Sequence, residues 1–412
     1  MLRRSGIPLA AGACIALLAA LAPDRYATGQ GQTADTSRVE GEYGLIVTRE
    51  ADSIRVAWLT RTAAPGWLHA TSGERTRHEV TTPAGTAHAT KFKHAGGGTV
   101  VLHYGAANDS ADRHQTTLFL DAARRRPRVA HSGVDSLFVL GDIHGEFDTV
   151  LAVLRNAGVI DSSNHWSAGR AHLAIVGDMM DRGPDVTRLL WFLYGLEPQA
   201  ERAGGRLHIV LGNHEIMVML DDLRYVHPKE QSLALAHGVT YDRMFDPRQS
   251  ILGSWLASKP ALIRVDDVLL AHGGVSTDYL SYTLQSYDDS LAAYTGEDMF
   301  YRWADTTFVV QMDSASFVRR NDFFWGDGSV FWYRGYALVD TLGPALEAVL
   351  RRYRSTIHVV GHTPGPTIRE RYGGSLIAVN TAPFAEEMLL LVRKNVGYER
   401  WRFRKAGPPV GL

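Results

Sequence analysis

Five short polar clusters, each directly behind an apolar run, constrain this chain more than any other feature. They are Gly141-Asp142-Ile143-His144-Gly145, Gly177-Asp178-Met179-Met180-Asp181-Arg182-Gly183, Gly212-Asn213-His214-Glu215, His272-Gly273-Gly274 and Gly361-His362-Thr363. The apolar runs at 137–140, 173–176, 207–211, 268–271 and 357–360 read as strands, helical patterns at 147–157 and 186–196 alternate with the first of them, and a mostly α-helical insert is predicted up to about residue 260. Such alternation marks an α/β domain. In open α/β sheets ligands gather at the carboxyl ends of strands, so the five clusters are expected to meet in space. A lone Asp-x-His or Gly-His arises by accident in loops; the ordered set of five does not.

The 412 residues exceed one ordinary core, which favours a catalytic domain plus a smaller module. From about 39 to 121, strand-like runs at 44–48, 53–59, 66–70, 88–92, 99–104 and 116–120 alternate with turn signals and predict a small all-β antiparallel sandwich. The expected bounds are 39–122 for this module and 133–405 for the α/β domain, with the charged stretch at 124–129 between them. An apolar fraction of 45% and a charged fraction of 21% describe a globular protein, and a net charge of -1 gives no reason to invoke nucleic acid or an anionic membrane surface. Arg3 and Arg4 ahead of the apolar run at 7–22 read as a signal peptide, assigned to 1–29, with an uncleaved anchor as the alternative. Cleavage predicts a secreted or periplasmic protein without stable membrane insertion. The only cysteine, Cys14, lies in that run, so the mature chain would carry no thiol.

Over roughly 137–381 the ordered clusters resemble the PPP-type branch of the calcineurin-like metallophosphoesterases. Gln199-Ala200, Gly204-Gly205 and Asp222-Leu223-Arg224-Tyr225-Val226 are similar to the Shewanella-like protein phosphatases of that branch, and the stretch before 122 resembles a fibronectin type III-like module. The resemblance implies a metallophosphoesterase β-sandwich flanked by helices and a two-metal site. Asp142, His144 and Asp178 would hold one divalent ion; Asp178 would bridge to a second, completed by Asn213, His272 and His362. Carboxylates offset the charge of two adjacent cations, while imidazoles and an amide oxygen complete the coordination without further negative charge. This donor set suits manganese, iron or zinc. Such a pair lowers the pKa of a shared water, giving a hydroxide that attacks phosphorus without a phosphoenzyme. Pro364 stands where many superfamily members carry another histidine, a ligand that the PPP-type branch also lacks, and Asn380-Thr381 stands where eukaryotic members carry an acidic residue.

The resemblance assigns His214 as general acid on the leaving oxygen, oriented by Asp181, whose other reading is a helix N-cap. Arg182 and Arg334 are the expected phosphate clamps, since guanidinium matches phosphate oxygens in bidentate fashion. Arg224 and Tyr225 read as structural or substrate-shaping. The aromatic runs Phe323-Phe324-Trp325 and Phe331-Trp332-Tyr333 are candidate walls for an aryl group, with burial in the core as the competing reading. The expected activity is phosphomonoester hydrolysis, by a protein phosphatase favouring phosphotyrosine or by a periplasmic nucleotidase or phosphate scavenger. A phosphoprotein is among the expected substrates. The rival of another class is a non-catalytic binding protein whose β-module docks a partner.

Overall fold

The computed structural model describes residues 44–121, 126–296 and 314–412; the expected signal peptide at 1–29 lies outside them. The N-terminal part is one antiparallel sheet of five strands, β1 (Ile46–Glu50), β2 (Ser53–Ser72), β3 (Arg75–Lys93), β4 (Thr99–Ala106) and β5 (Arg113–Phe119). β2 pairs with β3 on one side and with β1 and then β4 on the other. This corrects the expected sandwich of six short strands. The runs at 53–59 and 66–70 are halves of a single strand, and the stretch between them is absorbed as register shifts rather than closing a turn. Hydrogen bonds therefore join all five strands into one sheet, and the likeness to a fibronectin type III module is not carried by its topology.

That sheet is seated on the α/β part by polar and apolar contacts. Trp191 Nε1 donates to Leu45 O at 3.0 Å, Phe119 N to Tyr194 Oη at 2.7 Å and Arg49 N to Gln249 O at 2.8 Å. Leu45, Trp58 and Leu118 belong to the same buried cluster as Leu190, Tyr194 and Trp255.

The α/β part runs β6 (Ala130–His131), β7 (Ser136–Leu140), α1 (Phe147–Asn156), β8 (His172–Ile175), α2 (Val186–Arg202), β9 (Arg206–Ile209), α3 (Asn213–Met219), α4 (Pro228–Ala236) and α5 (Ile251–Ala257). It continues through β10 (Leu262–Val265), β11 (Val268–Ala271), α6 (Leu284–Gly296), α7 (Ser314–Trp325), α8 (Gly335–Leu338), α9 (Gly343–Tyr353) and β12 (Ile357–Val360). β13 (Arg369–Arg371), β14 (Leu376–Ala378), β15 (Glu387–Arg393), β16 (Tyr398–Arg404) and β17 (Val410–Gly411) complete it. The expected insert is helical, as α3, α4 and α5.

Two six-stranded sheets form, ordered β13-β14-β12-β11-β10-β6 and β17-β16-β15-β7-β8-β9. Side-chain alternation decides what each face meets. Leu137 and Val139 of β7, with Ala174 of β8, join Leu270, Val359 and Ile377 of the other sheet in one core. Their neighbours Phe138, Leu140, Leu173 and Ile175 pack in another core with Val150, Leu154, Leu189 and Leu193, which recur at helical spacing on α1 and α2. A sheet apolar on both faces must be covered on both, which gives the sandwich flanked by helices. β7, β8 and β9 run parallel, as do β11 and β12, so all five clusters emerge from carboxyl ends of strands.

Candidate metal centre

The loops that leave these strands carry unusual backbone. His144, Asp178, Asp181, Arg182 and His362 all have positive φ, at 49°, 53°, 68°, 66° and 59°. Non-glycine residues hold that conformation only where the surroundings impose it, and such positions cluster at functional sites. Two glycines are required by crowding: a Cβ at Gly212 would lie 2.3 Å from Asp178 Oδ1, and one at Gly361 would lie 2.6 Å from Asp142 Oδ1. Glu215 fixes the exits of β8 and β9 together. Its carboxylate accepts from the backbone N–H groups of Asp178 (2.9 Å), Met179 (2.8 Å), Met180 (3.1 Å) and Gly212 (2.7 Å).

Asp178 stands at the middle. His214 N donates to its Oδ1 at 3.0 Å, while Oδ2 lies 3.2 Å from His272 Nε2 and 3.7 Å from His144 Nε2. Two groups of potential ligand atoms share this carboxylate, one with His144 and His214 and the other with His272 and His362. His144 Nδ1 donates to Met180 O at 2.8 Å and His272 Nδ1 to Val176 O at 2.7 Å, so in the neutral rings both Nε2 lone pairs point inward. His272 Nε2 faces Asp178 Oδ2, Asn213 Oδ1 at 2.9 Å and His362 Nδ1 at 3.1 Å. His144 Nε2 and His362 Nε2 are buried without a hydrogen-bond partner. Lone pairs converging in a dry site are costly unless a cation lies among them, and the donor set fits divalent transition metals.

The Asp142 carboxylate is held from both sides, Oδ1 by His362 N at 2.9 Å and Oδ2 by a short bond from Asn380 Nδ2. Burial pushes its carboxyl up to about 7, opposed by His272 and assisted by Asp178. Burial also opposes charge on His272, but the Asp178 carboxylate and Asp142 outweigh it and take the ring up to about 9. His144, whose burial is met by less carboxylate, is driven down to about 3.

His214 is near enough to Asp178 to be counted among the ligands, yet both its ring nitrogens are engaged. Nδ1 pairs with Asp181 Oδ2 at 2.6 Å and Nε2 with Arg182 Nη2 at 3.1 Å. Burial works against its charge, and Asp178 with the Asp181 bond raises its pKa nonetheless. Arg334 Nη1 donates to His362 O at 2.9 Å, which brings the second expected clamp to the same rim. The centre opens into a cavity of about 340 Å³ whose lining includes Arg182, His214, Tyr225, Trp332, Arg334 and Phe384.

Every metal ligand and phosphate-binding or proton-donating residue expected from sequence thus comes to one place. The aromatic runs are corrected. Phe323, Phe324 and Phe331 are buried in the core, Trp325 packs on Trp332, and Tyr333 packs on Tyr336; of the six, Trp332 alone lines the cavity. Three contributions were missed. Glu215 was visible as the third residue of a helix opened by Gly212, where a carboxylate reaches back to orphan N–H groups. Asn380 was visible as a polar residue just past β14, whereas Phe384 left no signal.

A family model for calcineurin-like phosphoesterases matches residues 136–366. An uncharacterised protein of Schizosaccharomyces pombe is 30% identical over 60% of this chain and 72% of its own length. Shewanella-like protein phosphatase 2 of Arabidopsis thaliana is 42% identical over 95 residues, which are 23% of this chain and 24% of that protein. The crystal structure of a cold-active protein-tyrosine phosphatase of a psychrophilic Shewanella species superposes with a TM-score of 0.69 at 25% identity, covering 89% of this chain and 98% of that one. With carboxylates, imidazoles and two arginines gathered at the carboxyl ends of the strands, and with these likenesses, the chain belongs to the calcineurin-like metallophosphoesterases and has homologues among the Shewanella-like protein phosphatases.

Proposed function

We propose that this centre binds two divalent ions and hydrolyses phosphate monoesters, favouring phosphotyrosine and other aryl phosphates. The observation that carries the reading is the Asp178 carboxylate shared by two ligand groups, beside a histidine whose two nitrogens are held by an acid and an arginine. Asp142, His144 and Asp178 would hold one ion; Asp178, Asn213, His272 and His362 the other. Bound there, the ions would supply charge neutralisation and an activated water.

The remaining work belongs to the chain. Arg182 Nη2 faces His214 Nε2. An arriving phosphate offers that guanidinium two oxygens, so Arg182 turns to the ester and Nε2 is released toward the leaving oxygen. Once released, Nε2 takes up a proton from solvent, favoured by Asp178 and by Asp181, which holds the proton on Nδ1; the imidazolium then gives its Nε2 proton to the leaving oxygen, which departs as the alcohol. Arg334 closes the other side of the phosphate, held by the carbonyl of His362. The aryl preference is supported by the likeness to a protein-tyrosine phosphatase and by the rings of Tyr225, Trp332 and Phe384 around the cavity.

Treatment of the purified protein with a chelator should abolish hydrolysis of p-nitrophenyl phosphate and Mn²⁺ should return it; full activity in a demonstrably metal-free preparation overturns the mechanism. On matched substrates kcat/KM should be higher for a phosphotyrosine peptide than for a phosphoserine peptide or AMP. A preference for AMP moves the assignment to a nucleotidase, and no hydrolysis under any metal supplement identifies a binding protein.

A further inference from the structure

Tyr225 stands apart from the other rings near the centre. It is 46% exposed, whereas Phe323, Phe324 and Phe331 are interior. Its ring lies 5.4 Å from that of His214, at an interplanar angle of 60°. The guanidinium carbon of Arg182 is 5.7 Å from its ring centre and that of Arg224 is 5.6 Å away, so the ring contacts two cations. Its backbone is fixed as well, since Arg182 N donates to Tyr225 O at 2.7 Å. Arg224 is fastened to Asp222 within the same segment by two bonds of 2.8 Å each. Phe384 lies 5.4 Å from Arg182 and packs on His144.

We propose that Tyr225 is the specificity-determining residue of this site, the wall on which the aryl group of the leaving alcohol rests while His214 faces its oxygen. The inference rests on the phosphatase reading above and deepens it. His214 marks the leaving-group side, and Tyr225 is the aromatic residue in contact with it that also lines the cavity. In phosphoserine the ester oxygen is one bond from Cβ, so the peptide backbone itself must descend to the level of Tyr225 and Arg224. In phosphotyrosine the phenyl ring occupies that level and the backbone stays outside. The half-exposed Tyr225 ring therefore offers an aryl ester a stacking face and a serine ester an obstruction.

The test is the ratio of kcat/KM for a phosphotyrosine peptide to that for the matched phosphoserine peptide, in the Mn²⁺-loaded protein. Tyr225→Ala should lower the ratio by about threefold to tenfold, the scale of one aromatic contact. Tyr225→Phe should restore it, because the ring is what matters. Equal losses on both peptides would mean that Tyr225 only steadies Arg182, and would overturn the proposal. A wild-type aryl preference that survives Tyr225→Ala overturns the wall alone; a wild type with no aryl preference overturns the substrate reading beneath it as well.

Discussion

Two groups of histidines lie in the α/β part, one buried and one partly so, and burial has opposite consequences in them. Past the carboxyl ends stand His144, His214, His272 and His362; at the start of β8 His172 meets His208 of β9 and His131 of β6, with His172 Nδ1 2.9 Å from His208 Nε2. In the second group burial drives all three rings down, His172 to about 4, with cationic Arg206 adding to the effect. In the first group Asp178, Asp142 and Asp181 reverse the outcome for His272 and His214. Imidazole burial alone makes packing. Buried carboxylates, held in place by backbone N–H groups, turn it into a centre that attracts cations and holds protons.

The comparison breaks most readily at His214. Its replacement by Asn should slow turnover of alkyl phosphates by roughly 10²–10⁴-fold and of aryl phosphates less, since a good leaving group needs little protonation. Equal losses in steady-state assays on both esters would assign His214 to positioning instead of proton transfer.

A second comparison tests the frame. Glu215 accepts four backbone N–H groups around the centre, and Glu215→Gln turns an amide N–H toward donors. Metal affinity should fall by about 10–100-fold, read as the Mn²⁺ concentration for half-maximal activity. His172→Gln, in the other group, should leave that concentration within about twofold of wild type, because among the described residues no ligand group includes it. Similar losses in the two variants would erase the distinction.

The smallest effect is on acid stability. His172 and His358, each pushed by burial down to about 4, stay neutral in the fold below the pH at which the unfolded chain takes up protons. Their stabilisation is complete above about pH 6.5 and is lost as pH falls toward 4, because there the unfolded state binds more protons. The midpoint of thermal unfolding should therefore drop across that window, and His172→Gln should flatten the slope. A slope unchanged by the substitution would show that His172 does not titrate there.

How much of this was legible follows from where the information sits. The strand exits and their Asp, Asn and His residues could be read because ligand chemistry restricts residue type and strand ends restrict position. The N-terminal strands were found but their grouping was not. Whether the stretch at 60–65 turns the chain or bulges within β2 depends on the partners β3 and β4 on either side. The runs around Phe323 and Phe331 were legible as aromatic, yet which ring faces the cavity depends on how α7 and the following turns pack, and there Trp332 alone points inward.

By itself the sequence determined the alternation of strands and helices and which Asp, Asn and His residues stand at the strand exits, since these follow from periodicity and from residue chemistry. Tertiary structure alone decided that the Asp178 carboxylate belongs to both ligand groups, that Asn380 and Glu215 hold the carboxylates and loops, and that Tyr225 and Phe384 lie against Arg182. Those relations join residues from different strands and loops, and no local pattern encodes a distance that only the closing of two sheets creates.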